Sequence, residues 1–368
     1  MFIMITQVVR LTALHLVVVA SVLYVGPATP QEHPPTRTND QNVSLRQVSV
    51  VPLSAATEEA CLELAEAQVH LLLTLQEQNG RIPYMIDGNG NEVPNRRNAI
   101  RLWLATLALA EYGQAFERDD VLDAAERHGD HLLDLMLVQF EGKPALRLRD
   151  RIKLGTHAIA GMALLVLEQA GRPSDRLAAD DMLASVLSMQ EPDGEFRTFL
   201  DPPDRNDQQL FYPGEALTFM ALYLPHLEEP ARTDVLAKCL HGIQHYHHRW
   251  DTGELENPAF APWHLQAISL VSHHHPLPTH TIDYADELAR YLAENQQLDD
   301  APSSLDYGHF FDPERPELGR SHASSTAVYL EGLGAYEAMH RPSGDGMTST
   351  SATIYAGFRS LVQLSHAS

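Results

Sequence analysis

Apolar residues recur at three- and four-residue spacings in long windows from residue 57 almost to the C-terminus. That spacing is the mark of helices with a buried face, and loops rich in Gly, Pro and Asp separate the windows. The windows are of two kinds. One is charged and amphipathic: "HLLLTLQEQNGRI", "HLLDLMLVQFEGKPALR", "MLASVLSMQEPDGEFR", "HYHHRWDTGELE" and "DYADELARYLAENQQLDDAPSSLDYGHF". The first three end alike, on Gln76 and Gly80, Gln139 and Gly142, and Gln190 and Gly194; the later two are looser copies. The second kind follows each copy and carries few charges after its first turn: "NAIRLWLATLALAEYGQAF", "THAIAGMALLVLEQAG", "YPGEALTFMALYLPHL", "APWHLQAISLVSHH" and "SSTAVYLEGLGAYEAM".

A helix that is apolar nearly all round is buried, and one with a single apolar stripe covers it. The copies recur roughly every 50 to 60 residues, so the alternation predicts stacked helical hairpins. The expected fold is all-α: a two-layer α/α toroid, with amphipathic helices outside and apolar helices inside. Six outer and five clear inner windows make it a near-complete or incomplete six-hairpin barrel. It occupies residues 56–368, after a leader at 1–28 and a linker at 29–55 that is rich in Pro, Thr, Asn and Gln. In the leader, Arg10 precedes an apolar run from Leu11 to Val25 and then small and Pro-rich residues. This reads as a secretory signal cut near Ala28, with an uncleaved N-terminal anchor as the alternative. The expected location is therefore secreted or periplasmic.

The alternation and the "Leu-x-x-Gln-x-x-x-Gly" style of the repeats resemble the α/α-toroid superfamily. That superfamily holds six-hairpin glycosidases, polysaccharide lyases and epimerases, and the terpenoid cyclases. "FYPGEA" and "STAVYLEGLGAYEA" are similar to stretches of bacterial six-hairpin proteins. "LQEQNGRIPYMI" with "RWDTGELENPAFAPWHLQAI" resembles, over a short span, the helical domain of glucuronyl C5-epimerases. The resemblance implies the fold; the reaction needs its own argument, because this fold hosts unrelated chemistries.

Parallel inner helices would bring their N-termini to one end of the ring, where backbone N–H groups converge on polar ligand groups. Residues entering the inner helices are therefore the candidates for a site. Glu215, Asp87 and Asp306 are the candidate catalytic carboxyls, with Glu331 behind them. Hydrolysis of a glycoside needs two carboxyls roughly 5 to 10 Å apart, one kept protonated by its surroundings. Tyr212, Arg101, Asn98, His157, Trp263, His264, Tyr307 and His322 are the candidate substrate-binding residues, since sugars stack on aromatic rings and bond polar groups. Tyr, His and Arg would equally serve elimination or epimerisation beside a uronate. Pro213 and Glu215 are also what a well-made helix start calls for, so "FYPGEA" carries a plain structural reading beside the catalytic one.

Charge narrows the partners. With 49 acidic and 26 basic residues the net charge is -23, which excludes the basic footprint of nucleic-acid binding and disfavours an anionic polymer unless basic residues gather locally. Two cysteines, Cys61 and Cys239, exclude a disulfide framework or a four-cysteine zinc site. Histidines 241, 245 and 248 share a helical face, but on an outer helix and without a metalloprotease glutamate. Asp119 to Asp123, "DDVLD", resembles a magnesium motif of prenyl-diphosphate enzymes, yet sits where first-turn acids are expected. No metal or cofactor is expected. The expected ligand is a carbohydrate or other small molecule, with membrane contact only through an N-terminal anchor. The leading expectation is an exported enzyme that hydrolyses, or eliminates or epimerises, a polysaccharide or oligosaccharide. The other reading is a non-catalytic binding or scaffold toroid of the cell envelope.

Overall fold

A computed structural model describes residues 24–25 and 55–361, apart from 88–89, 95–96, 299–306, 311–322, 341–352, 355 and 359–360. The expected leader and linker lie outside the described residues, save at 24–25 and 55. Among the described residues ten α-helices of ten residues or more alternate in chain order. The outer ones are α1 (Ala55–Leu75), α3 (Asp119–Met136), α5 (Ala179–Ser188), α7 (Ala231–Asp251) and α9 (Thr279–Glu294). The inner ones are α2 (Ala99–Ala115), α4 (Leu154–Gln169), α6 (Tyr212–Tyr223), α8 (Ala261–Ser272) and α10 (Ala323–His340).

The inner helices pack side by side in order, α2 on α4, α4 on α6, α6 on α8 and α8 on α10. Their residues are buried on nearly every face, as in α4 from Leu154 through Leu167. This is the α/α toroid that the alternation predicts. Among the described residues α10 shows no comparable packing back onto α2, so the inner layer is an arc of five. Helical positions at 353–354 and 356–358 then supply a sixth outer member, with Phe358 and Leu361 buried in the core. Among the described residues no helix is long and apolar enough to cross a membrane.

The Gln and Gly of the repeat staple neighbouring outer helices together. Gln76 Nε2 donates to the Ala124 carbonyl (2.8 Å), Gln190 Nε2 to that of Lys238 (2.9 Å) and Gln296 Nε2 to that of Thr353 (2.7 Å). In each case the glycine that closes the turn has positive φ and lies on the backbone of the same neighbouring helix: Gly80 on Arg127, Gly194 on His241, Gly308 on Ala356. A side chain there would meet both the φ penalty and a carbonyl oxygen. The loosest copy in sequence, with its long insertion before Gly308, thus makes the full staple.

The copy at Gln139 and Gly142 does something else. The described residues are not wholly helical beyond 57. Leu137–Phe140 (β1), Lys143–Leu148 (β2), Arg151–Lys153 (β3) and Phe199–Asp201 (β4) form an antiparallel sheet in that order. Glu141 and Gly142 both have positive φ between the paired Phe140 and Lys143. That is a two-residue turn whose backbone twist matches the strands. Here Gly142 has open space around it instead of a neighbouring helix.

The acidic run Asp119–Asp123 is explained by its partners. Arg172, from the loop before α5, ion-pairs with Asp119, Asp123 and Glu126, while Arg118 pairs with Asp120. Its carboxylates thus clamp one outer helix to the next hairpin.

Candidate functional site

The N-termini of the inner helices do meet. A Cβ on Gly155, in the first turn of α4, would run into the Glu215 carboxyl and lie 2.7 Å from Tyr212 Cδ1 and 2.9 Å from Ile100 Cδ1. A Cβ on Gly214 would lie 2.6 Å from Trp263 Cβ and 3.2 Å from His264 Cδ2. Two small residues thus let the starts of α2, α4, α6 and α8 close on one another. Thr218 Oγ1 adds a hydrogen bond to the Trp263 carbonyl (2.9 Å).

Glu215 sits at the centre of this meeting. It is 4% exposed, and its Oε2 has no hydrogen-bond partner among the described residues. Burial pushes the carboxyl up to about 8, against a smaller opposing influence from the Lys153 charge. It is therefore uncharged near neutral pH and can give a proton rather than take one. Lys153, at the end of β3, places its ammonium 5.9 Å from the centre of the Tyr212 ring. Desolvation first, and then the charges of Arg151 and Arg205, hold that ammonium below the usual lysine range. Burial likewise raises the Tyr212 hydroxyl.

His264 follows Trp263 in the first turn of α8. Its ring stacks on Phe260 with centroids 3.9 Å apart and lies 5.4 Å from Tyr246. Neither ring nitrogen has a hydrogen-bond partner among the described residues, and burial alone drives its pKa down to about 3. It is a neutral imidazole in an aromatic setting.

His157 is positioned differently. Its Nε2 accepts the Leu146 N–H (3.0 Å), which assigns the proton to Nδ1, 2.8 Å from Ser185 Oγ. Both nitrogens are spent on joining α4 to β2 and α5, so the ring braces the sheet. Asn98 caps α2, accepting the N–H groups of Ile100 (3.0 Å) and Arg101 (3.5 Å). Arg101, half-buried, donates to the Tyr84 hydroxyl (3.1 Å). Asp87 accepts the Asn91 N–H (2.9 Å) and shapes a tight turn in the loop that leads to α2. Tyr307 is half-buried in the loop before His309, whose ring is 2.8 Å from Thr326 Oγ1 on α10. Glu331 is fully buried on α10, where the adjacent Gly332 packs on Pro262 of α8. Asp306 and His322 lie outside the described residues. Of the candidates, then, Glu215, Tyr212, Trp263 and His264 come together, and Asn98, Arg101 and His157 hold the elements around them.

Sequence reasoning passed over the basic strand beside this cluster. "KPALRLRDRIK", residues 143–153, carries five basic residues and one acid, and it contains two of the chain's three lysines, Lys143 and Lys153. In a chain of charge -23 that density is the signal that marks it.

For metal ions, His241 and His245 are engaged by backbone: His241 Nε2 is 3.2 Å from the Pro192 carbonyl and His245 Nδ1 is 3.1 Å from that of Asp193. Among the described residues, His247, Asp251 and Glu287 are the one group with ligand atoms close enough to gather on a cation. They lie on the outer helices α7 and α9, apart from the inner-helix N-termini.

No protein-family model and no curated protein matches the sequence. Solved structures do. The chain is similar to a cellobiose 2-epimerase from Spirochaeta thermophila DSM 6192, at 14% identity and a TM-score of 0.57, over 90% of this chain and 86% of that one. It is also similar to a family 76 glycoside hydrolase from a bovine Bacteroides thetaiotaomicron strain, at 12% identity and a TM-score of 0.56, over 90% of this chain and 69% of that one. At these identities the likeness establishes the fold, an α/α toroid.

Proposed function

We propose that the chain is an exported carbohydrate-active enzyme that hydrolyses a polysaccharide or oligosaccharide at the end of the toroid where the inner helices begin. In this reading Glu215 is the proton donor to the leaving oxygen. One observation carries it: a carboxyl buried among converging helix starts and held uncharged at neutral pH. A general acid must hold its proton at the working pH and release it only in the transition state. Tyr212 meets the Glu215 carboxyl at Gly155, with the Lys153 ammonium over its ring, so aromatic and charged groups stand beside the proton donor. The two fold neighbours, an epimerase of cellobiose and a glycoside hydrolase, are in keeping with a sugar substrate. Hydrolysis also needs a second carboxylate, for which Asp306 and Asp87 are the candidates.

The test compares wild type and Glu215→Gln in a screen of neutral and acidic oligosaccharides, reading sugar release and melting temperature together. Loss of release by 100-fold or more with the melting temperature retained supports the role of Glu215. Products with a new double bond or an inverted carbon, still dependent on Glu215, would replace hydrolysis by elimination or epimerisation. A ligand that stabilises the protein without turnover would make it a binding toroid.

A further inference from the structure

We infer that the sugar taken at this site carries an anionic group, a uronate carboxylate or a sulfate ester, received by Lys153. The inference rests on the carbohydrate reading above and narrows its substrate class. Its starting point is which of the nearby cations are already engaged. Arg147 ion-pairs with Asp201 across to β4 (2.8 Å), and its guanidinium lies 5.5 Å from the Phe140 ring centre. Arg205 pairs with Asp207 through two nitrogens (2.8 and 2.7 Å) and stacks over Phe199 (4.2 Å). Both have structural work that accounts for them. Arg151 is exposed, with only the fully solvated Asp150 near it at 3.6 Å.

Lys153 is the exception. It is half-buried, yet among the described residues its ammonium has no ion-pair or hydrogen-bond partner. The opposite charges that act on it are those of Glu215, a carboxyl that burial holds protonated at neutral pH, and then Asp207, which is already paired with Arg205. A partly desolvated ammonium without a counter-ion costs free energy that Leu or Met at the same place would not. An anion arriving with the substrate would supply the missing charge.

Position ties the ammonium to the chemistry. Lys153 ends β3 and the next residue opens α4, so Gly155, whose missing side chain makes room for Glu215, is two residues on. Lys153 also stands over the Tyr212 ring. A sugar with its anion on Lys153 is thus held next to Tyr212, which meets the Glu215 carboxyl at Gly155. Glu215 Oε2 is itself buried and unpartnered, so the site has an open polar position as well as an open charge. Away from this strand the chain's net charge of -23 repels an anionic sugar, which makes the five basic residues of 143–153 a local exception.

The experiment measures binding by calorimetry for four-unit oligosaccharides of three kinds, neutral, uronate and sulfated, and for inorganic sulfate. Wild type, Lys153→Met and Lys153→Arg are compared at low and at 0.5 M NaCl, with melting temperatures as a fold control. The expected result is that uronate or sulfated sugar binds at least 10-fold tighter than neutral sugar. Lys153→Met abolishes that preference, Lys153→Arg keeps most of it, and salt weakens it. Which anion is preferred separates carboxylate from sulfate. Neutral sugar binding as tightly, unaffected by Lys153→Met, overturns this inference and leaves the carbohydrate reading standing. Inorganic sulfate binding as tightly as the sulfated sugar, or no binding by any sugar, overturns both.

Discussion

At the scale of single residues, the Glu215 proton makes a thermodynamic prediction independent of catalysis. The folded value is raised to about 8 from an ordinary 4.5. Between those limits the native state keeps a proton that the unfolded chain releases. The contribution is therefore intact below pH 4.5 and is lost as pH rises to about 8, at up to about 1.4 kcal/mol per pH unit. Glutamine at 215 has nothing to ionise, so the melting temperature of Glu215→Gln relative to wild type should climb steadily from pH 5 to pH 8. His128, His157 and His264, whose values are lowered by burial to about 4, 4 and 3, act in the opposite direction at acid pH. They are common to both proteins and drop out of the difference. A difference that stays flat with pH would mean that Glu215 is ionised in the fold, and the proton-donor role would fall with it. Gly155→Ala probes the same contact from the other side. Its methyl would run into the Glu215 carboxyl and Tyr212, so unfolding free energy should fall by about 1–3 kcal/mol, read by urea titration.

At the scale of elements, the repeat separates two uses of the same residue type. Gly194 and Gly142 both have positive φ, yet Gly194 lies against His241 of the next outer helix and Gly142 faces open space. Alanine at either position should cost about 1 kcal/mol for backbone conformation. At Gly194 the 2.9 Å approach to the His241 carbonyl should add about 1–3 kcal/mol more. Chemical denaturation of the two variants side by side decides it, and equal losses would mean that the staple does not hold outer helices together. The same contrast shows what was legible in the sequence. The Gln–Gly signature and the Ala-rich windows gave the alternation of layers, because burial on every face leaves no room for charges. The sheet from 137 to 153 escaped notice because Gln139 and Gly142 imitate the staple. Positive φ at Glu141, a residue with no special liking for it, has no sequence mark. At the site, the polar entry to each inner helix was legible and led to Glu215, Tyr212, Trp263 and His264. That His157 spends both nitrogens on the sheet was not, since its partners Leu146 and Ser185 are brought to it by the hairpin. The basic strand was written plainly in residues 143–153 but was hidden by an overall count dominated by acids.

For the whole molecule, two electrostatic effects of different range compete. Close ion pairs such as those of Arg172 with the acids of α3, and Arg249 with Glu254, are exposed on at least one side, and each contributes little. Against them stands the mutual repulsion of a chain with net charge -23, to which the outer helices α1, α3, α5 and α9 contribute, acting over tens of ångströms. Salt separates the two by distance. At 0.1 M the screening length is about 10 Å, longer than any ion-pair contact and shorter than the distance between opposite sides of the ring. Modest salt therefore removes most of the repulsion while leaving much of each contact pair. Raising NaCl from 0.02 to 0.3 M should raise the melting temperature by a few degrees, as calorimetric or fluorescence melts would show. A fall would mean that the short-range network of the outer layer, and not the long-range field, sets how tightly the arc of hairpins is held. Among the described residues, the contacts that oppose the repulsion include those between successive inner helices, α2 on α4, α4 on α6, α6 on α8 and α8 on α10.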